Sequence, residues 1–141
     1  GKRPKADAHT SLAAGGINAA MDGTRIDMSF GIGGCPEGVA TACAVKALGG
    51  FIQGVLAPLD DAERARGEAA GLRFDYAYGA DELVRSDNTI FVATGVTDGS
   101  LVGGVERAGR YVHTESIVLR SRSGTIRRVK ATHLAEKWLE A

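Results

Sequence analysis

The residues best suited to chemistry lie in a glycine-rich turn, residues 31–38, which reads Gly-Ile-Gly-Gly-Cys-Pro-Glu-Gly. An apolar stretch follows from Val39 to Leu48, and Pro36 is typical of the first turn of a helix. Backbone N–H groups at the start of a helix point toward the positive end of its dipole, where phosphate binds well. The pattern leaves two interpretations open, an anion site or a tight turn that only connects a strand to a helix.

Glu37 is the one carboxylate inside this turn. It could simply oppose the helix dipole, or it could be an oxygen ligand for a divalent cation that bridges to a bound phosphate. One glutamate does not complete such a site, and the chain shows no obvious Asp/Glu cluster to join it. The turn is not a Walker loop, because Val39 stands in place of the lysine. It is not the dinucleotide fingerprint, because Pro36 replaces the third glycine.

A second candidate is Asp98, in the segment TGVTDG at 94–99. This segment follows a short apolar run, 89–93, and α/β sheets often bind ligands where a strand ends. An ordinary loop is the alternative. Asp22-Gly23-Thr24 could be mistaken for a phosphate motif, but its position predicts a plain turn.

The other reactive side chains give no further motif. His9, His113 and His133 lie far apart and have no metal-ligand spacing. The serines do not form a nucleophile elbow. Cys35 and Cys43 do not make a disulfide framework and are predicted to be buried, inert thiols.

Composition excludes several classes of protein. The chain has 141 residues, 44% hydrophobic and 24% charged, which is typical of a globular domain. Basic and acidic residues balance at 17 each, so no overall field points to nucleic acid or an anionic membrane. The uncharged run 47–59 is too short to span a bilayer, and no apolar signal segment follows the basic start. Glycine is unusually frequent, with 20 residues clustered between apolar runs, as expected for sharp turns or backbone close to a ligand.

Charge is distributed unevenly along the chain. Residues 60–87 carry a net acidic charge, whereas residues 105–130 carry a net basic charge. The basic segment could contact nucleic acid or sugar phosphate. Because no stacking aromatics alternate with its arginines, a solvated face or a contact with an acidic subunit surface is the favoured interpretation. The arginines concerned are Arg120, Arg122, Arg127 and Arg128.

The elements that must position these residues follow from hydrophobic periodicity and turn signals. The order predicts an α/β fold with a mixed sheet, helices packed on it and an antiparallel hairpin near the C-terminus. Residues 1–12 are interpreted as a polar lead-in, and residues 13–141 as a single domain. The predicted elements are helix 13–21, strand 26–30, helix 36–48, strand 51–56, helix 60–70, short helix 80–84, buried strand 89–93, hairpin strands 111–119 and 125–129, and a last helix capped by Thr132.

Residues 14–123 resemble the C-terminal half of the class II fructose-1,6-bisphosphatases, bacterial metal-dependent sugar phosphatases of gluconeogenesis and glycerol growth. The matching segments occur in the family's order and with nearly its spacing. They are GGINAA (15–20), GIGGCPEG (31–38), ACAVKALGG (42–50), FIQG (51–54), DDAERA (60–65), ATGVTDGSL (93–101) and LRSRSGTIR (119–127).

The resemblance implies hydrolysis of fructose 1,6-bisphosphate to fructose 6-phosphate and phosphate with Mg²⁺ or Mn²⁺, in the cytoplasm. It implies that Glu37 is a metal ligand and that Gly34 contacts substrate, and it assigns no other catalytic residue to this chain. It further implies a homo-oligomer or association with a complementary N-terminal half, and no binding to nucleic acid or membrane.

The sequence also departs from the family. The family's aspartate-rich N-terminal half has no counterpart here, and its Asp-Gly-Asp substrate motif falls on Thr10-Ser11-Leu12. An alternative is therefore a truncated, catalytically inactive module that binds sugar phosphate or associates with full-length subunits. A third reading, a Rossmann-like nucleotide binder, is disfavoured by Pro36 and by the lack of an acidic ribose partner.

Overall fold

A computed structural model of the chain describes residues 30–139. The predicted helix 13–21, the turn at 22–24 and most of the predicted strand 26–30 lie outside the described residues, as does Thr10-Ser11-Leu12.

Four α-helices, one short 3-10 helix (Ser121–Ser123) and six strands are the elements of the described part. No helix among these residues is long and apolar enough to cross a membrane. In chain order the elements are α1 (Cys35–Ala47), β1 (Gln53–Val55), α2 (Asp61–Ala69), β2 (Ala77–Gly79), α3 (Ala80–Leu83), β3 (Ile90–Thr94), β4 (Glu106–Ala108), β5 (Tyr111–Arg120), β6 (Thr125–Leu134) and α4 (Ala135–Leu139).

The long strand β5 organises the larger sheet. Its whole length pairs antiparallel with β6, while β3 and β4 share its other edge. Strands β1 and β2 form a separate antiparallel pair. The predicted α/β class and the C-terminal hairpin are confirmed. The described strands form two antiparallel sheets rather than one mixed sheet.

Helix α1 covers one face of the larger sheet. Its ends match the sequence signals, with Pro36 in the first turn and Gly49 at φ 71° just beyond the C-cap. Small residues on its inner side let the helix approach the sheet closely. The core that results comprises Ala44, Ala47, Leu101, Val102, Ile117 and Leu119, with Leu48, Phe91 and Ala93 packed against it.

Strand β3 corrects the prediction of a buried strand at 89–93. Phe91 and Ala93 pack against the core, but Ile90 and Val92 are exposed. Among the described strands, β3 lies at one edge of the sheet, and α1 packs on one of its two faces. The apolar run predicted that both faces of the strand would be buried. In the described part of the chain, residues pack only on the face of β3 that carries Phe91 and Ala93.

Thr132 also corrects a prediction, because it lies inside β6 and does not cap the last helix. Its hydroxyl lies 2.9 Å from Nδ1 of His113 on β5. The ladder with β5 continues to the pair Tyr111–Leu134, so α4 begins only at Ala135. The cross-strand pairing therefore outweighs the local capping preference of threonine.

The predicted start of the charged helix is confirmed at Asp60. This residue is the N-cap of α2, and its Oδ1 accepts a 2.7 Å hydrogen bond from the backbone N–H of Glu63. The Glu63 carboxylate reaches back to accept the N–H of Leu59, also at 2.7 Å. The Asp60 side chain thus satisfies an N–H group that the helix start leaves without a partner, and the Glu63 side chain ties the residue before the cap to the first turn.

Lys46 joins the C-terminal end of α1 to α3 and the segment after it. Its Nζ lies 2.8 Å from Asp81 and 3.2 Å from Asp87, and it donates to the carbonyl of Val84 at 3.0 Å. The hydrogen bond to Asp81 is the main reason that the pKa of Lys46 is raised above its ordinary value. This ammonium group therefore ties the C-terminal end of α1 to α3, which directly follows strand β2 of the smaller sheet.

Glu82 closes the turn between β2 and α3. Its carboxylate accepts the backbone N–H of Gly79 at 3.0 Å and the hydroxyl of Tyr76 at 2.7 Å. These bonds favour the charged form, so the pKa of Glu82 is lowered, first by the Gly79 N–H and then by the Tyr76 hydroxyl. Arg73 stacks on the Tyr76 ring, 3.3 Å from its centroid, and completes the cluster.

The lowered pKa of Glu82 predicts a pH-dependent part of the stability. Because the folded-state pKa lies below the ordinary value of 4.5, this contribution is present above about pH 4.5 and is lost as the pH falls through the folded-state pKa. Urea unfolding between pH 3 and 7 should show a wild-type advantage over Glu82→Gln that shrinks only at the acidic end. Tyr76→Phe should reduce the same pH dependence, and a difference that is flat across the range would contradict the prediction.

Candidate functional site

The glycine turn places an open helix start at the surface. Gly34 is the N-cap of α1 in an extended conformation, and its carbonyl accepts the first helical hydrogen bond from Gly38 at 3.0 Å. It has no side chain with which to cap the helix, and Pro36 has no N–H. Among the described residues, the amides of Cys35 and Glu37 therefore have no capping side chain. They lie where the helix dipole favours an anion.

Glu37 projects from the first turn of α1 and is exposed. Its carboxylate curls back over Gly34, so that a Cβ added to Gly34 would overlap Oε2 of Glu37. The Thr41 hydroxyl, one turn further along α1, donates a 2.8 Å hydrogen bond to the backbone carbonyl of Glu37. No ion pair involves the Glu37 carboxylate within residues 30–139. The site thus combines an exposed carboxylate with exposed backbone donors.

The residues present fit a divalent cation only in part. An exposed carboxylate is a suitable oxygen ligand, and Mg²⁺ in proteins is usually held by one or two carboxylates together with substrate oxygens and water. In the described part of the chain, however, no three His, Cys, Asp or Glu side chains come together in a group that could hold a metal. Glu37 can supply one ligand, and further protein ligands would have to come from elsewhere.

Asp98 has a structural role in the loop that follows β3. Its Oδ1 accepts the backbone N–H of Gly104 at 2.9 Å, which ties the two ends of the loop together. Glu115, on β5, accepts the N–H of Gly103 at 2.8 Å. Arg128 donates to the carbonyl of Leu101 at 2.9 Å. These three side chains hold the loop, and the ordinary-loop interpretation accounts for Asp98.

Sequence reasoning missed the roles of Glu115 and Arg128. They lie on neighbouring strands, with 3.7 Å between Oε1 of Glu115 and Nη1 of Arg128. Arg128 is therefore not simply a solvated cation of a basic hairpin. The four arginines of that hairpin do not form one patch either, since consecutive residues of β6, Arg127 and Arg128, point to opposite faces. Only the register of β5 against β6 could have shown which arginines share a face and that Arg128 lies beside Glu115.

Among residues 30–139, the cysteine thiols and the histidine rings add no side-chain group to this candidate site. Cys35 is exposed at the start of α1, which corrects the prediction of a buried thiol, and Cys43 is partly buried. Both are free thiols. His113 lies beside Thr132, and Nε2 of His133 lies 3.0 Å from the Thr114 hydroxyl across the β5–β6 ladder.

Taken together, the described residues form an α/β domain in which a sheet carries a helix whose glycine-rich start is exposed. Residues 10–133 match the family described as bacterial fructose-1,6-bisphosphatase, glpX-encoded. Since this match covers most of the sequence, the chain belongs to that family. The predicted resemblance is confirmed, and the matched range extends beyond residues 14–123.

Curated relatives in this family are longer than the chain. The chain is 37% identical over 133 residues to the fructose-1,6-bisphosphatase class 2 of Haemophilus influenzae, a match that covers 85% of this chain and 40% of the relative. It is 35% identical over 137 residues to fructose-1,6-bisphosphatase 1 class 2 of Escherichia coli strain K12, with 88% and 41% covered. The chain thus spans about two fifths of the length of these relatives, and the match lies in their C-terminal part.

Proposed function

We propose that this chain is the C-terminal part of a fructose 1,6-bisphosphatase, a phosphoric monoester hydrolase of gluconeogenesis that releases fructose 6-phosphate and phosphate. Membership of the family is the observation that carries the proposal. The geometry supports it, because Glu37 and the open amides beside Gly34 lie together on the surface. A carboxylate for a metal and N–H groups for phosphate oxygens are what such a hydrolase requires.

In this proposal Glu37 is one oxygen ligand of Mg²⁺ or Mn²⁺, and the turn at Gly34 faces the substrate phosphate. When bound, the ion polarises the phosphoryl group and makes a bound water a better nucleophile. The amides of Cys35 and Glu37 donate to anionic oxygens, and the dipole of α1 adds to this attraction. The remaining metal ligands come from the N-terminal part of the enzyme, as residues 30–139 bring no ligand cluster of their own.

A chimera tests the proposed activity directly. The chain would replace the matching C-terminal part of the Haemophilus influenzae relative, and phosphate release from fructose 1,6-bisphosphate would be measured with Mg²⁺ or Mn²⁺ and with EDTA. We expect release that depends on the metal ion. A chimera that is folded by circular dichroism but releases no phosphate, while the parent enzyme does, would contradict the proposal.

The alternative is a catalytically inactive module that binds sugar phosphate or only associates with other subunits. The lack of a three-ligand cluster in residues 30–139 is the observation that favours it. Isothermal titration of the chain with fructose 1,6-bisphosphate, alongside the chimera assay, separates the two. Binding by the chain together with an inactive, folded chimera would support the alternative.

The crowding of Gly34 and Glu37 leads to a prediction about Gly34→Ala. The new Cβ would displace the Glu37 carboxylate, which can move because it is the end of a flexible side chain. We expect a loss of about 10-fold or more in metal-dependent activity of the chimera, comparable to disturbing the support of a metal ligand. The stability of the chain should change by less than about 1 kcal/mol.

Gly38→Ala is the matched control for this experiment. Apart from its chain neighbours and the backbone of the helix, a Cβ at Gly38 meets no atom within 4 Å, so this variant adds the same methyl group, one turn along α1, into open space. Its activity should stay close to that of the unmodified chimera. Equal losses in both variants would show that the effect does not act through the carboxylate.

A further inference from the structure

Two helices of this chain begin with the same arrangement, a glycine followed three residues later by a glutamate. Gly34 is the N-cap of α1, and Glu37 lies in its first turn. Gly79 is the N-cap of α3, and Glu82 lies in its first turn. A glutamate at this position can reach back and accept the backbone N–H of the N-cap residue. The two helix starts can therefore be compared within one molecule.

Glu82 completes this reach, whereas Glu37 does not. The Glu82 carboxylate accepts the N–H of Gly79 at 3.0 Å and the hydroxyl of Tyr76 at 2.7 Å. In the described part of the chain, no donor hydrogen-bonds to the Glu37 carboxylate. It lies instead against Gly34, where an added Cβ would overlap Oε2 and stand 3.4 Å from the carboxyl carbon. The charge of Glu82 is thus held by two donors, whereas the charge of Glu37 is available to a cation.

The Glu37 carboxylate occupies the space in which a capping group would lie. A capping side chain starts at the Cβ of the N-cap residue and accepts N–H groups of the first turn. Gly34 has no Cβ, and the carboxylate fills that place. In the proposed function, phosphate oxygens approach the amides of Cys35 and Glu37 at this same helix start. The carboxylate and a phosphate are therefore two anions that compete for one place.

A single carboxylate is enough to reverse the sign of the charge at this helix start. The N-terminus of a helix acts as about +0.5 of an elementary charge. Glu37 is the one charged side chain in residues 30–45, and it is exposed. With its carboxylate the turn carries a net charge of about −0.5, so it repels phosphate. Without the carboxylate the net charge is about +0.5, and with a divalent cation on the carboxylate it is about +1.5.

We propose that Glu37 makes phosphate binding at the glycine turn conditional on a divalent cation. While its carboxylate is not neutralised, the turn repels phosphate, and when a cation is bound to Glu37, the same turn attracts it. This inference rests on the proposed function for the site and its ligands. It adds an order of binding, the cation first and the phosphate second. A turn regulated in this way does not fill with free phosphate while the metal ion is absent.

Phosphate titration of the 141-residue chain tests this proposal without any turnover. Inorganic phosphate is the probe, and the backbone amide signals of Cys35 and Glu37 in heteronuclear NMR spectra report binding at the turn itself. The titrations are run with Mg²⁺ and with EDTA at one low ionic strength, because salt screens exposed charges. The unmodified chain should bind phosphate about 10-fold or more tightly with Mg²⁺ than with EDTA.

Glu37→Gln is the decisive variant, because in EDTA it should bind phosphate several-fold more tightly than the unmodified chain does. Glutamine keeps the size of the side chain but leaves the helix start with a net positive charge. Mg²⁺ should then give no further gain. Glu37→Ala should behave in the same way if charge is the cause. Glu106→Gln is the control, since it removes the same charge from exposed strand β4, and its affinity should stay within about twofold of the unmodified chain.

Equal phosphate affinities of the unmodified chain and Glu37→Gln in EDTA would overturn the proposal, as would an equal gain from Mg²⁺ in both. It would also be overturned if the amides of Cys35 and Glu37 did not respond to phosphate in any titration.

The chimera assay separates this inference from the proposed function. A gain of phosphate affinity in Glu37→Gln, together with a folded chimera that releases no phosphate, would uphold the inference and reject the activity. An active chimera, together with a Glu37→Gln chain that shows no gain, would uphold the activity and reject the inference.

Discussion

Replacing Glu37 by glutamine in the chimera is expected to lower metal-dependent phosphate release about 100-fold or more. Glutamine keeps the size of the side chain and its place above Gly34 but removes the negative charge that a divalent cation requires. The ion contributes several kcal/mol to stabilising the transition state, and each 1.36 kcal/mol lost is a factor of ten in rate. The measurements are kcat/KM over a range of Mn²⁺ concentrations and Mn²⁺ affinity by electron paramagnetic resonance.

Two further variants sharpen this result. Glu37→Asp keeps the charge but shortens the side chain by one methylene, so partial activity at high Mn²⁺ would show that position as well as charge matters. Glu106→Gln removes one carboxylate from exposed strand β4 and should leave activity unchanged. Normal activity and Mn²⁺ affinity in Glu37→Gln would reject Glu37 as a metal ligand.

Gly104→Ala is expected to destabilise the chain by about 3 kcal/mol. A Cβ at this position would lie 2.6 Å from both the backbone N of Asp98 and the carbonyl carbon of Thr97. These are backbone atoms of the loop after β3, so they can move only if the loop opens. Opening would break the hydrogen bond from Gly104 to Asp98 and disturb that from Gly103 to Glu115.

Urea unfolding of the chain measures this effect, and Gly99→Ala is its control. A Cβ at Gly99 has its nearest neighbour, the carbonyl oxygen of Val102, at an ordinary 3.7 Å. Gly99→Ala should therefore alter the free energy of unfolding by less than about 1 kcal/mol. Similar values for the two variants would mean that the loop relaxes around Gly104 at little cost.

Local signals predicted the helices of this fold well. Pro36 and Gly49 mark the limits of α1, and Asp60 marks the start of α2, because capping and backbone conformation depend on a few neighbouring residues. Thr132 shows the limit of this approach. The same residue type suits a cap and a strand, and the ten-residue ladder between β5 and β6 decided between them.

Exposure could not be predicted in the same way. The apolar sequence of β3 indicated burial, but burial depends on which elements pack on each face, and the described residues cover only one. Cys35 was expected to be buried for its residue type, yet it lies at an exposed helix start. The pairing of Glu115 with Arg128, which holds the loop after β3, could be predicted only from the register of β5 against β6. Periodicity alone does not give that register.

The candidate site was predictable where it is local. Glu37 lies three residues after Gly34, and in the first turn of a helix this spacing brings the two together. Their roles as metal ligand and substrate contact stay predictions from the family resemblance. The other ligands of a metal site could not be derived from this sequence, because no cluster in residues 30–139 completes it.

The overlap between a Cβ at position 34 and the carboxylate at position 37 has an evolutionary consequence. Any side chain at position 34 would displace the carboxylate at 37, so the glutamate keeps its present place only while position 34 is glycine. Within this family the pair should therefore be inherited as a unit. A family member with a larger residue at the position of Gly34 should hold its glutamate in a different place or lack it.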